Sequence, residues 1–286
     1  MACAAFGLFL LVSATTVTAQ TLRERGEYVL RASGCVACHT DTENDGEYLA
    51  GGVEFNTPFG IFYSPNITAH PDHGIGNWDI NDLISALTRG EGPGGVHYYP
   101  VLPYTAYSGM QPEDIRALFA YLQTVPASAQ QNKPHKLPWY LRFRFINRIW
   151  KRLFFEPIES PTDLSDHVKR GAYLVNVLGH CGECHTPRNL FGALDNDQYL
   201  AGTRDGPDGD PVPNITPDAD TGIGGWGRNS LRRYLKRGVD PNDDFAGGLM
   251  VDVIDEGLRY LSNDDLNAIV DYLKSIPPII NRVDDE

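Results

Sequence analysis

The sequence predicts a mainly α-helical protein made of two tandem copies of one small domain, joined by a basic amphipathic bridge. Three observations carry this expectation. A five-residue cysteine–histidine motif occurs twice, a set of short segments recurs in the same order around each occurrence, and the apolar residues between them fall at helical rather than strand spacing. The expected divisions are a signal peptide over 1–19, a first domain over 20–126, a bridge over 127–168 and a second domain over 169–286.

The motif is Cys35-Val-Ala-Cys38-His39 and again Cys181-Gly-Glu-Cys184-His185. Two thiols three positions apart on a helical turn can each add to one vinyl group of a single haem. The adjoining histidine then lies under the iron as proximal ligand. Structural zinc and thiol–disulfide exchange also use C-x-x-C, but two C-x-x-C-H copies inside a longer repeat of an exported chain point to haem. The expectation is two covalently bound haem c groups, held by Cys35 and Cys38 and by Cys181 and Cys184, with His39 and His185 on the irons. The fifth cysteine, Cys3, falls within the leader.

The repeat reaches well beyond the cysteines. Gly26-Glu-Tyr28 matches Gly171-Ala-Tyr173, Tyr48-Leu-Ala-Gly51 matches Tyr199-Leu-Ala-Gly202, and Pro65-Asn-Ile-Thr68 matches Pro213-Asn-Ile-Thr216. Gly74-Ile-Gly-Asn-Trp78 matches Gly222-Ile-Gly-Gly-Trp226, and Tyr121-Leu122 through Pro126 matches Tyr272-Leu273 through Pro277. Each copy is expected to hold a first helix running into the motif (21–33 and 169–178), a middle helix after the tryptophan (80–88 and 228–236), and a last helix from Pro112 or Ser262. Leu83, Ile84 and Leu87 form the apolar stripe of one middle helix, Leu231 and Leu235 that of the other. Pro112 suits a first helical turn, and Ser262 followed by Asp265 suits an N-cap with an acidic first turn.

Of three methionines, Met1 is the initiator, Met110 precedes the last helix of the first copy and Met250 that of the second. One thioether per copy, at matching places, fits a distal iron ligand at Met110 and at Met250, which raises the reduction potential and fills the coordination sphere. Methionine is also a gap-filler in cores. His70, His73, His97, His135, His167 and His180 have no counterparts shared between the copies and read as surface or supporting residues. A backbone carbonyl near each Pro-Asn-Ile-Thr could accept the other ring N–H of the proximal histidine, or the segment is a simple loop motif. Asn66-Ile-Thr68 and Asn214-Ile-Thr216 also match the glycosylation sequon, though their recurrence favours a structural role. Trp78 and Trp226 either donate to a haem propionate or pack.

Residues 1–19 carry no charge, hold the apolar run Phe6–Val12 and close on Val17-Thr18-Ala19. They read as a signal peptide cleaved after Ala19, and the run is short for a membrane span of about 20 residues. The implied location is periplasmic, soluble or peripheral on the membrane. A formal net charge of −13 argues against nucleic acid as a partner.

Together the double C-x-x-C-H, the Pro-Asn-Ile-Thr and Gly-Ile-Gly-x-Trp segments, and Tyr98-Tyr-Pro-x-x-Pro-Tyr104 leading to Met110 resemble the multihaem cytochrome c subunits of bacterial alcohol, gluconate and sugar dehydrogenases. The resemblance covers essentially the whole chain after the leader. It implies two class I cytochrome c-like domains that pass electrons from a dehydrogenase towards a respiratory acceptor, another cytochrome or an oxidase. Those subunits usually carry three haem domains. This chain shows two, which favours a two-haem relay over the quinone-reducing role of the longer subunits. The competing class is a dihaem redox enzyme, a peroxidase or a thiosulfate-oxidising cytochrome. A peroxidase needs an open iron, which Met110 and Met250 would close, and no cysteine outside the motifs is left for sulfur ligation.

Within the bridge, residues 133–155 hold Lys133, Lys136, Arg142, Arg144, Arg148, Lys151 and Arg152 and no acid, with Trp139, Phe143, Ile146, Trp150 and Leu153 at helical spacing. Such a segment can make a peripheral contact with an anionic membrane. It can also pack between two acidic domains, and packing is the favoured expectation.

Overall fold

A computed structural model describes residues 21–159 and 161–283; the leader expected over 1–19 lies outside the described residues. Helix α1 (21–32) crosses α5 (Pro112–Leu122) in the first half, as α7 (Asp166–Tyr173) crosses α11 (Asn263–Leu273) in the second. Both crossings bring backbone onto backbone. A Cβ on Gly26 would stand 2.0 Å from the Ala117 carbonyl oxygen, and one on Gly171 would stand 2.0 Å from that of Ala268. This is why the repeat holds glycine at both places: any side chain would force the helices apart.

The middle helices lie as expected. Helix α3 (Ile80–Arg89) starts with a capping box in which the Asp79 carboxylate accepts from the Asn81 and Asp82 amides, and the Asp82 carboxylate accepts from the Asp79 amide. It buries Leu83 and Leu87, with Ile84 half-buried. Helix α9 (Arg228–Arg237) buries Leu231 and Leu235. Ser262 caps α11 by accepting from the Asp265 amide at 3.1 Å. The first helix of the second copy begins earlier than expected, at Asp166, and ends in a π-helical turn over Leu174–Leu178. The first half also holds two hairpins that the helical spacing did not announce, β1–β2 (Glu54–Thr57, Gly60–Tyr63) and β3–β4 (Glu91–Gly92, Val96–His97).

The halves pack about a pseudo-two-fold, each lending a tyrosine to the other. Tyr28 donates to the Asp265 carboxylate at 2.5 Å and accepts from the Ser262 amide at 3.1 Å. Tyr173 donates to the Asp114 carboxylate at 2.7 Å and accepts from the Gln111 amide at 3.1 Å. Each aspartate is also held by an arginine of its own half, Asp265 by Arg170 and Asp114 by Arg25. A contact that is made twice with the roles exchanged is the signature of an isologous interface, here within one chain. One apolar core, from Val29 and Leu30 through Leu118 to Leu174 and Leu266, runs through both halves.

The bridge packs on both halves with its polar face inward: beside its contacts to the first half, the Trp150 indole donates to the Phe191 carbonyl at 2.8 Å and Phe154 stacks on Phe191 in the second. Its helix is shorter than the apolar spacing implied: a 3-10 turn at Trp139–Arg142 precedes α6 (Phe145–Phe154). Inside lie Asn147 and Lys151. The Lys151 ammonium donates to the Arg89 carbonyl at 2.5 Å and the Gly90 carbonyl at 2.7 Å, capping α3, and lies 3.1 Å from His97 Nδ1. Asn147 donates to the His97 carbonyl. Outside lie Trp139, Phe143 and Leu153, while Ile146 and Trp150 are half-buried. Carbonyls at the end of α3 need donors more than the filled core beneath needs another apolar face.

Candidate functional site

The first motif forms its own short helix, α2 (Cys35–His39), entered through Gly34 at φ 62°. In the second, Cys181 immediately precedes α8 (Gly182–His185). One helical turn thus sets both cysteines and the histidine of each motif on one segment. All four cysteines are half-buried, and none is paired in a disulfide. Desolvation pushes the Cys35 and Cys181 thiols up to about 12 and Cys38 up to about 11, and it raises Cys184 as well. Thiol–disulfide exchange needs the reverse, a stabilised thiolate. Among the described residues no group of three or more His, Cys, Asp or Glu side chains is placed to hold a metal ion, so the donors of a structural zinc site are not assembled.

The histidines are oriented identically. His39 Nδ1 donates to the Pro65 carbonyl at 2.7 Å, and His185 Nδ1 donates to the Pro213 carbonyl at 2.7 Å. A carbonyl only accepts, so the proton sits on Nδ1 and the Nε2 lone pair is left for a metal. Burial lowers both imidazoles below their ordinary value, against the pull of the carbonyl, and so favours the neutral, ligating form. The donor set and its fixed tautomer fit a haem iron.

Buried asparagines hold these carbonyls in place. Asn66 donates to the Ser128 and Gln130 carbonyls, and its side-chain oxygen accepts from the Thr68 amide and hydroxyl. Asn214 donates to the Ile279 carbonyl and the Thr221 hydroxyl, and accepts from Thr216 in the same way. With both amide hydrogens engaged and both residues buried, the sequon resemblance is a structural motif. Behind each histidine, a fully buried leucine takes positive φ, Leu49 at 58° and Leu200 at 62°, with its amide donating to Thr40 or Thr186.

Met110 is buried in the shared core, and Met250, the first residue of α10 (Met250–Glu256), is half-buried against it. Trp78 and Trp226 pack on the same core. Both distal segments also touch the opposite half: α4 (Tyr104–Tyr107) lies on Leu174–Leu178, and α10 lies on α2.

The two motifs therefore meet. A Cβ on Gly34 would be 3.6 Å from the His180 ring, which lies edge-on to Tyr107 at 5.3 Å between centroids. Tyr107 in turn donates to the Ser33 carbonyl at 2.6 Å. Asp252 and Cys184 both lie near enough to Cys38 to raise its thiol. Sequence reading placed none of Tyr107, His180 or Asp252 at a site. The adjacency of His180 to Cys181 was its only trace, because contacts across a pseudo-two-fold leave no local pattern.

The cytochrome c family model matches residues 23–126. A dihaem cytochrome c-type protein of Cereibacter sphaeroides is 42% identical over 261 residues, covering 89% of this chain and 86% of that one. The cytochrome c subunit of a quinone-dependent alcohol dehydrogenase of Gluconobacter oxydans is 39% identical over 91% of this chain. That of a gluconate 2-dehydrogenase of Pantoea cypripedii is 40% identical over 89%. The chain spans 56% and 59% of the length of these last two.

Proposed function

We propose, from the premise that the chain belongs to the dihaem c-type cytochromes, electron-transfer proteins with covalently bound haem c, that it relays electrons from a dehydrogenase to a respiratory acceptor. In this reading residues 20–126 and 169–286 each hold one haem, with 127–168 as bridge. Cys35 and Cys38 anchor the first haem and Cys181 and Cys184 the second. His39 and Met110 ligate one iron, His185 and Met250 the other. The haem supplies an iron that changes charge by one electron at a time. The protein's part is to keep that change small in structural terms. The Pro65 and Pro213 carbonyls fix the histidine rings and raise their basicity, and the buried core excludes water. The meeting of the two motifs supports direct passage between haems within one chain.

The observation that carries the reading is the duplicated histidine–carbonyl bond of 2.7 Å beside a C-x-x-C pair in each half. The named relatives support a dehydrogenase as electron donor; a periplasmic location, soluble or peripheral, and another cytochrome or an oxidase as acceptor complete the proposal. Among the described residues no helix is long and apolar enough to cross a membrane. Family membership replaces the rival reading of a dihaem redox enzyme. Intact mass tests the assignment: the expected mature chain carries two haems, and Cys35→Ser with Cys38→Ser removes one and spares the other. A wild-type mass with one haem, or with free thiols, overturns it.

A further inference from the structure

The bridge helix α6 is inverted relative to a helix at the surface of a soluble protein. Residues 145, 149 and 153 lie one turn apart on one face. They are Phe145, Ile149 and Leu153, and they are 61%, 54% and 67% exposed. On the opposite face Asn147 and Lys151 are buried, with their polar atoms spent on the end of α3 and on His97. Soluble surfaces do not normally assemble large apolar side chains into a contiguous stripe.

Charge says what covers the stripe. The chain has a formal net charge of −13, yet residues 133–155 hold seven basic side chains and no acid. Arg148 and Arg152 are exposed and share the outward face with the apolar stripe. At the N-terminal end, exposed Trp139 and Tyr140 extend the apolar surface. Beside them Lys133, Lys136 and Arg142, with Tyr63 and His135, line an open hollow of about 520 Å³. An occupant must be anionic at the level of the arginines and apolar at the level of Ile149, and tolerant of indole and phenol rings between the two. A bilayer carrying acidic headgroups has that layering: basic side chains and amphipathic rings sit at the headgroups while the apolar face enters the acyl boundary. An acidic protein surface matches the arginines but leaves the Phe145–Ile149–Leu153 stripe without an apolar counterpart.

We propose that α6 and the Trp139–Arg142 turn form an in-plane docking surface for an anionic membrane. This deepens the peripheral location proposed above and is independent of the haem ligation. The turn and helix would lie in the interface with the protein above them, α6 being fastened to the first half through Lys151 and to the second through Trp150 and Phe154 on Phe191.

The test uses the holoprotein and sedimentation with vesicles of phosphatidylglycerol and phosphatidylethanolamine, or of phosphatidylcholine alone. Wild type is expected to pellet with the anionic vesicles at low salt, to stay in solution with the neutral ones, and to release as ionic strength rises. Ile149→Ser with Leu153→Ser should cut the bound fraction by more than about tenfold by removing the acyl contact. Arg148→Glu with Arg152→Glu should do the same by removing the headgroup attraction. An unchanged haem absorption spectrum in each variant shows that the fold persists and separates failure of this surface from failure of the electron-transfer reading. Wild type that stays in solution with anionic vesicles at low salt overturns the proposal. So does an Ile149→Ser/Leu153→Ser protein that binds as wild type does. Concentration-dependent dimers lost in the Ile149→Ser/Leu153→Ser protein, with no vesicle binding by wild type, would assign the stripe to a second copy of the chain instead.

Discussion

The two distal segments carry the same element, one methionine before a last helix, in different enclosures. In the first half Met110 follows α4 directly, its amide donates to the Tyr107 carbonyl, and its side chain is 5% exposed. Its neighbour Gly109 lies under Ile158 of the bridge and Val177 of the second half. In the second half Met250 follows a loop in which Phe245 is 76% exposed, and Gly247 and Gly248 have open space around them. The bridge closes over the first distal segment, and among the described residues nothing equivalent covers the second. In the proposed ligation the repeat sets which residues face the haems, while the flanking chain decides how exposed each methionine is. If Met250 ligates as proposed, its more exposed thioether favours the charged ferric state, so the second haem is expected to have the lower potential of the two.

Truncating the two methionines should break this comparison most visibly. Met110→Ala is expected to cost about 2–5 kcal/mol of unfolding free energy, as for a buried core methionine, and Met250→Ala less than that, measured by denaturant titration of the oxidised protein. Each should lower the potential of its own haem and admit imidazole to that iron alone. Equal stability losses would show that the two enclosures are equivalent.

The reciprocal tyrosines sharpen it at the interface. Asp114 is the more deeply buried of the two carboxylates they reach, with 4% of its side chain exposed against 14% for Asp265. Tyr173→Phe leaves Asp114 short of a donor and is expected to cost about 1–3 kcal/mol. Tyr28→Phe should cost less, because Arg170 still reaches both Asp265 oxygens, at 2.7 and 2.8 Å, whereas both Arg25 nitrogens reach only Oδ1 of Asp114 and leave Oδ2 to Tyr173. Reversal of that order would place the strain of the interface on the other side of the pseudo-two-fold.

The smallest expected effect is a pH dependence. Desolvation alone would raise the Asp265 carboxyl; hydrogen bonds from Arg170 and Tyr28 outweigh it and hold the group below its ordinary value. A carboxylate depressed in the folded state contributes stability that is complete above its unfolded value, about 3.9, and is lost as pH falls through the folded one. Asp265→Asn should flatten the stability profile in that acid window and leave its shape at higher pH unchanged. A wild-type profile matched by the variant at every pH would remove Asp265 from the account.

The haem motifs, the repeat and the last and middle helices were legible because each rests on local spacing: cysteines on one turn, leucines on one stripe, a serine before an acidic turn. Pro65 and Pro213 were legible only as alternatives, and the two bonds of 2.7 Å decide between them. Tyr28 and Tyr173 were visible as a matched pair but not as an exchange between halves, since a sequence repeat does not say whether its copies touch. The bridge was legible as a packed segment, but not in the face it turns inward. Helical spacing groups residues into faces without saying which face packs, and Lys151 rather than Leu153 turned inward because α3 ends in carbonyls that need a donor.

The central claim is that both irons are six-coordinate histidine–methionine centres serving only electron transfer. A redox titration of the purified protein, followed through the weak far-red absorption of ferric iron bound to methionine sulfur, tests it directly. Two one-electron waves are expected, with the band shared by both haems and lost in step with each reduction. A band that accounts for one haem or none, together with a high-spin ferric iron that binds peroxide, would contradict it.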